Sequence, residues 1–142
     1  MIASKATGQR ADVYDLRGFL DELARTFVGA TDSSINAMRR AGETVVNPPN
    51  IFTSAGFQSQ FADPGNGNQV RHYTAGLIAG FNSPSAGFAL RYMNSRETPG
   101  TSDYATDTAL NAVSTRHGSS FTPLTNPKVL ADWIRRDVCT PR

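Results

Sequence analysis

The stretch Gln69-Val70-Arg71-His72-Tyr73-Thr74-Ala75-Gly76-Leu77-Ile78-Ala79-Gly80-Phe81 decides the fold. At 100° per residue, Val70, Tyr73, Thr74, Leu77, Ile78 and Phe81 fall on one broad apolar face. The opposite face carries His72, Ala75, Gly76 and Ala79, and no charge follows His72. A helix without a charged side belongs at the centre of a domain. Its small residues let a second helix backbone come close, which puts His72 near the packed interior at the first turn. Asn68 is a good cap for this helix.

Outward from this centre the chain predicts further helices. Val13, Leu16, Phe19, Leu20, Leu23 and Phe27 recur at helical spacing and predict an amphipathic helix over 12–28, closed by Gly29. A short helix follows, capped by Asp32 or Ser33, with Ile35 and Met38 inward and Gly42 as its stop. Ser83-Pro84 starts another that runs to about Asn94. Thr101 or Ser102 caps one ending at Gly118, and Asn126-Pro127 opens the last, with Val129, Leu130, Trp133, Ile134 and Val138 inward. Residues 1–11 read as a flexible lead-in. Residues 43–67 read as a long irregular loop, because Asn47-Pro48-Pro49-Asn50 and Asp63-Pro64-Gly65 exclude helix interior. Phe52, Phe57 and Phe61 should anchor that loop. The expected architecture over 1–142 is a single all-α domain, a compact bundle of five to six helices around the central apolar one.

Composition narrows the function classes. The chain has 142 residues, 39% apolar, with a net charge of +2, enough for one core and too little charge for a nucleic-acid footprint. Arginine dominates the 14 basic residues, Lys5 and Lys128 being the lysines. The single cysteine, Cys139, excludes an intramolecular disulfide and a cysteine-built zinc site. Near the C-terminus, it reads as part of a tail. The N-terminus has no apolar signal core, and Gly and Pro interrupt the uncharged run 73–90, so a soluble domain without a membrane span is expected. Compartment, source and oligomeric state are not legible.

Two histidines are present. His117 adjoins Gly118 at a helix end, where capping accounts for it. His72 follows a Gly- and Asn-rich run at a helix mouth and can act as a structural hydrogen bonder, a general base or a metal ligand. Asp103, Asp107 and Asn111 stand at i, i+4 and i+8 on one side of the fifth helix, opposite Ala105, Ala109, Ala112 and Val113. The simplest reading is a solvated polar face, yet no Lys or Arg at i+4 relieves its two acids. Glu97 lies just before this helix and is one of three glutamates. A candidate catalytic set is therefore His72 as base, oriented by Asp107 or Glu97, with Arg71 and Asn111 binding a ligand. No cofactor is expected. Calcium or magnesium on Asp103 and Asp107, with Asn111 as a further oxygen ligand, is the alternative use of the acids.

The order Asn68-x-x-Arg71-His72, then Glu97, then Asp107-x-x-x-Asn111 with Gly118 following resembles small helical domains at the C-termini of bacterial polymorphic-toxin and phage-associated proteins. The resemblance spans about residues 66–118. It departs from those domains in lacking a tryptophan soon after the histidine and a paired Asn-Asn. It implies a compact effector-like domain with hydrolytic activity, His72, Glu97 and Asp107 being the equivalent positions, and names no substrate. The competing expectation is a non-catalytic structural or partner-binding domain, including a subunit of a larger assembly. The occupant of the site is then a small molecule or a protein partner of unknown identity.

Overall fold

The computed structural model describes residues 3–4, 13–44, 55–63 and 68–141. The domain is all-α. Its helices are α1 (Leu16–Leu23), continued by a π-helical turn over Ala24–Val28, then α2 (Ile35–Thr44), α3 (Gln69–Asn82), α4 (Ala86–Ser95), α5 (Tyr104–Ser119) and α6 (Val129–Asp137). Strand structure among the described residues is minor. Ala3–Ser4 (β1) pairs antiparallel with Val13–Tyr14 (β2), and Phe57 bridges to Cys139. No helix among the described residues is long and apolar enough to cross a membrane.

α3 is central, as its composition requires, and packs on α5, α4, α2 and the π-helical turn. Leu77 and Ile78 are buried with Leu16 and Leu20 of α1, Leu110 of α5 and Leu130 of α6. On the other side Gly76 and Gly80 lie directly against α5, where Gly118 returns the contact at Leu77. At Gly80 and Gly118 backbone meets backbone, so groups at the N-terminal ends of the two helices are held within hydrogen-bonding reach.

Several boundaries differ from the sequence expectation. α1 starts at Leu16 rather than Asp12. The Asp15 carboxylate caps it at Gly18 N (2.8 Å), while the preceding residues are extended against Ala3–Ser4. That pairing also gives structure to part of the expected lead-in. Gly29, at φ 82°, ends the first helix as expected. Ser34 rather than Asp32 or Ser33 caps α2, its hydroxyl accepting from Ala37 N (3.2 Å). Gly42 does not stop that helix, and Ile35 points outward at 54% exposure. Ser85 caps α4, and Asp103 occupies the cap position of α5.

The described part of the long loop, 55–63, is anchored. Phe61 is buried and Phe57 packs on the core, whereas Phe52 lies outside the described residues. Gln58 N donates to Val138 O (2.8 Å), and Thr140 N donates to Gly56 O (2.8 Å). The Cys139 segment is thereby tied to the loop and is no loose tail.

Candidate active site in the cleft between α2, α3, α4 and α5

Four chain segments converge at the N-terminal end of α3. Asn68 caps that helix by accepting from Arg71 N (3.1 Å), which places Gln69 and His72 in its first turn. Asp103, Asp107 and Asn111 run up one side of α5. Glu97 follows α4, held in a turn by its N–H to Asn94 O (3.1 Å). Asp63 enters from the loop. Asp63, His72, Glu97, Asp103 and Asp107 line a cleft of about 440 Å³ together with Ile35, Met38, Tyr92 and Met93.

His72, Glu97 and Asp107, which sequence analysis singled out, are brought together. His72 Nε2 lies 2.7 Å from Asn111 Oδ1 and 3.4 Å from Glu97 Oε1, and Nδ1 lies 4.0 Å from Asp107 Oδ1. Asn111 is fully buried, and its Nδ2 donates to Asn94 Oδ1 (3.0 Å). Its Oδ1 is therefore the atom turned to His72, and an oxygen there can only accept. An Nε2–H on the ring donates to that oxygen, and Nδ1 faces Asp107. Gln69, also buried, donates from Nε2 to Phe61 O (2.6 Å) and to Asp107 Oδ1 (3.3 Å).

Burial raises the Asp107 carboxyl to about 6, with Glu97 and Asp103 adding to the shift, while His72 and the Gln69 amide oppose it. Asp103 is shifted the other way, held below the usual carboxylate range first by the Thr101 hydroxyl. Two groupings bring ligand atoms within 4.8 Å of one another: His72 with Glu97 and Asp107, and Asp63 with Asp103 and Asp107. The expected pair Asp103 and Asp107 thus belongs to the second group. Asn111 is committed to His72 and Asn94.

Arg71 lines the cleft, but its Nε donates to Val28 O (3.3 Å) and its Nη2 to Ala41 O (3.2 Å). Its guanidinium ties the first two helices to α3, and burial lowers its pKa. The α5 face expected to be solvated is largely buried: Asp107, Asn111, Ser114 and Thr115 point inward and Asp103 is half-buried. On the opposite side Val113 is buried and Ala109 packs on the core as expected, while Ala105 and Ala112 are exposed. The close α3–α5 approach dictates this, since polar partners on α3 and α4 meet that face. His117 is no simple cap either. It is 2% exposed, with Nδ1 2.6 Å from the Tyr73 hydroxyl and Nε2 2.7 Å from Asp137 Oδ2.

Asp63, Gln69 and Asn94 were not singled out in the sequence. Asp63 reads there as a turn residue, and nothing local marks the other two. Comparison with protein-family models, curated proteins and solved structures gave no match.

The buried carboxylate yields a stability prediction. Asp107 has a raised folded pKa, so the native state holds its proton more tightly than the unfolded chain. Its ionisation opposes folding increasingly from about pH 3.8 to about pH 6 and fully above that. Asp107→Asn, measured in EDTA, should stabilise the protein above pH 6 by about 1–2 kcal/mol, allowing for the opposing His72 attraction. Asn can still accept from Gln69. Thermal melts at pH 7.5 and pH 4 check this, and a variant melting lower than the parent at pH 7.5 would contradict it.

Proposed function

We propose that the cleft is the active site of a small effector-like hydrolase, with His72, Glu97 and Asp107 at its reacting end. The observation that carries this reading is the convergence of His72, Glu97 and Asp107 at one place in the cleft. Nδ1 faces Asp107 across 4.0 Å, too far for a direct hydrogen bond. A water oxygen set off that line reaches both groups at about 2.8 Å. His72 Nδ1 takes a proton from this water as its oxygen attacks the substrate. Asp107, poised near neutrality, supplies a proton to the leaving group. Glu97, 3.4 Å from Nε2, stabilises the imidazolium that forms. The resemblance to toxin-associated helical domains supports the same three positions.

The test is a panel of chromogenic carboxylic esters, phosphate esters and amides. At least one should be hydrolysed, and His72→Gln and Asp107→Asn should each lower kcat by about 10²–10⁴-fold while circular dichroism stays helical. Hydrolysis unaffected by His72→Gln would remove the reading. A second reading, partner binding, is favoured by the exposed Phe88 (51%) and Tyr92 (37%) one turn apart on α4. On that reading His72→Gln changes the melting temperature alone.

A further inference from the structure

We infer that the gap between His72 and Asp107 is a divalent-cation site, with His72 Nδ1, Glu97 and Asp107 as protein ligands. The inference rests on the hydrolytic reading for its use in catalysis, and on geometry alone for the binding itself. Metal–nitrogen and metal–oxygen bonds of about 2.0–2.2 Å place ligand atoms of one coordination sphere about 3–4.4 Å apart. Nδ1 and Asp107 Oδ1 are 4.0 Å apart, and one atom from each of the three residues lies within 4.8 Å of the others. Glu97 Oε1 lies 3.4 Å from Nε2 and would turn toward the gap to complete the set.

The supporting shell points the same way. A metal-bound histidine characteristically donates its other ring N–H to a carbonyl or carboxylate oxygen, and bound carboxylates are themselves hydrogen-bonded. Here Nε2–H is given to Asn111 Oδ1 and Asp107 Oδ1 accepts from Gln69. Asn111 and Gln69 are at 0% and 2% exposure. These are buried amides whose side chains orient the two groups that face the gap. Asp63 and Asp103 bring further negative charge to Asp107, and a bound cation offsets it. One imidazole nitrogen with carboxylate oxygens suits Mn2+ or Zn2+ better than Ca2+ or Mg2+, which prefer oxygen alone. In the loaded state His72 is a ligand, and water is activated by coordination in place of proton transfer to Nδ1.

Isothermal titration of the EDTA-treated full chain with Mn2+ and with Zn2+ tests the site. One equivalent of at least one ion should bind, and saturation should raise the melting temperature. His72→Gln and Glu97→Gln should each weaken binding at least about 10-fold, and Asn111→Ala, which releases the ring, should weaken it about 10–100-fold. Circular dichroism checks the fold, and Glu97→Gln, at the cleft surface, keeps the test meaningful if Asn111→Ala fails to fold. Absence of binding by both ions overturns the inference, as does binding unchanged in both His72→Gln and Glu97→Gln. Hydrolysis indifferent to EDTA, with no ion bound, sinks the cation and leaves the hydrolase. Stoichiometric His72-dependent binding without hydrolysis of any panel substrate upholds the cation and counts against the hydrolase.

Discussion

Replacing Gly118 by alanine should destabilise the domain by about 3 kcal/mol or more, the upper end of what overpacking a core costs. A Cβ built on Gly118 lies 1.9 Å from Leu77 O and 2.8 Å from Phe81 N, all backbone of α3. The reciprocal contact is equally tight, since a Cβ on Gly80 lies 2.2 Å from Thr115 O. Backbone cannot rotate away as a side chain can, so one helix must move bodily. Gly80→Ala should behave like Gly118→Ala. Gly76→Ala meets the Ser114 hydroxyl and Cβ first, so the pair can relax in part and the effect should be smaller. Gly87, with nothing within 4 Å of its Cβ position, is the control, and Gly87→Ala should be neutral or slightly stabilising. Chemical denaturation ranks the four variants. A Gly118→Ala protein as stable as its parent would refute the close α3–α5 contact. The same displacement would draw Asn111 from His72, so any folded Gly118→Ala protein should also lose that hydrogen bond.

His117→Ala should cost about 3–5 kcal/mol. The ring accepts from the Tyr73 hydroxyl at Nδ1 and donates to Asp137 from Nε2, so one neutral tautomer satisfies both partners. It also packs 5.5 Å from the Trp133 ring. Removing it opens a cavity and strips a buried hydroxyl and a carboxylate of their partner. Arg136, at 2.8 Å, keeps Asp137 paired in part. The same contact sets a pH dependence. Burial lowers the His117 pKa below 6.5, so the native state binds fewer protons than the unfolded chain. The stability it contributes is present above about pH 6.5 and is lost as the pH falls toward the folded value. Asp137, depressed chiefly by Arg136, adds a loss of the same sign at lower pH. Asp107 runs in the opposite sense between about pH 6 and 3.8, so the experiment belongs in an Asp107→Asn background. There the melting temperature should fall between pH 7 and pH 5, and a flat profile would contradict the His117 contact.

Local pattern made much of this molecule legible. The charge-free run after His72 identified the central helix, Asn68 its cap and Gly29 the end of the first helix. The aromatic residues Phe57 and Phe61 marked where the loop is pinned. Each of these depends on side-chain spacing or on the conformational preference of one residue, and such properties travel with the sequence. The grouping of His72, Glu97 and Asp107 was also anticipated, because each stood out from its surroundings: a lone histidine at a helix mouth, a rare glutamate, an acid with no cation at i+4.

Tertiary structure decided which face of α5 is buried. Helical periodicity assigns its alanines inward and its acids outward; Ala109 does pack on the core, but Asp107 and Asn111 are buried as well, because Gly76, Gly80 and Gly118 let α5 sit against α3. At that distance its polar side chains find donors and acceptors on other helices, and a satisfied polar group can be buried. The same contact made His117, which reads as a helix cap, into the bridge between Tyr73 and Asp137. It also recruited Gln69 and Asn94, whose roles exist through partners 38 and 17 residues away in the chain. Spacing along one helix cannot report hydrogen bonds made to another, so the sequence by itself determined the helices and the candidate residues, and only their packing brought Asn111 to His72 and set the field around Asp107.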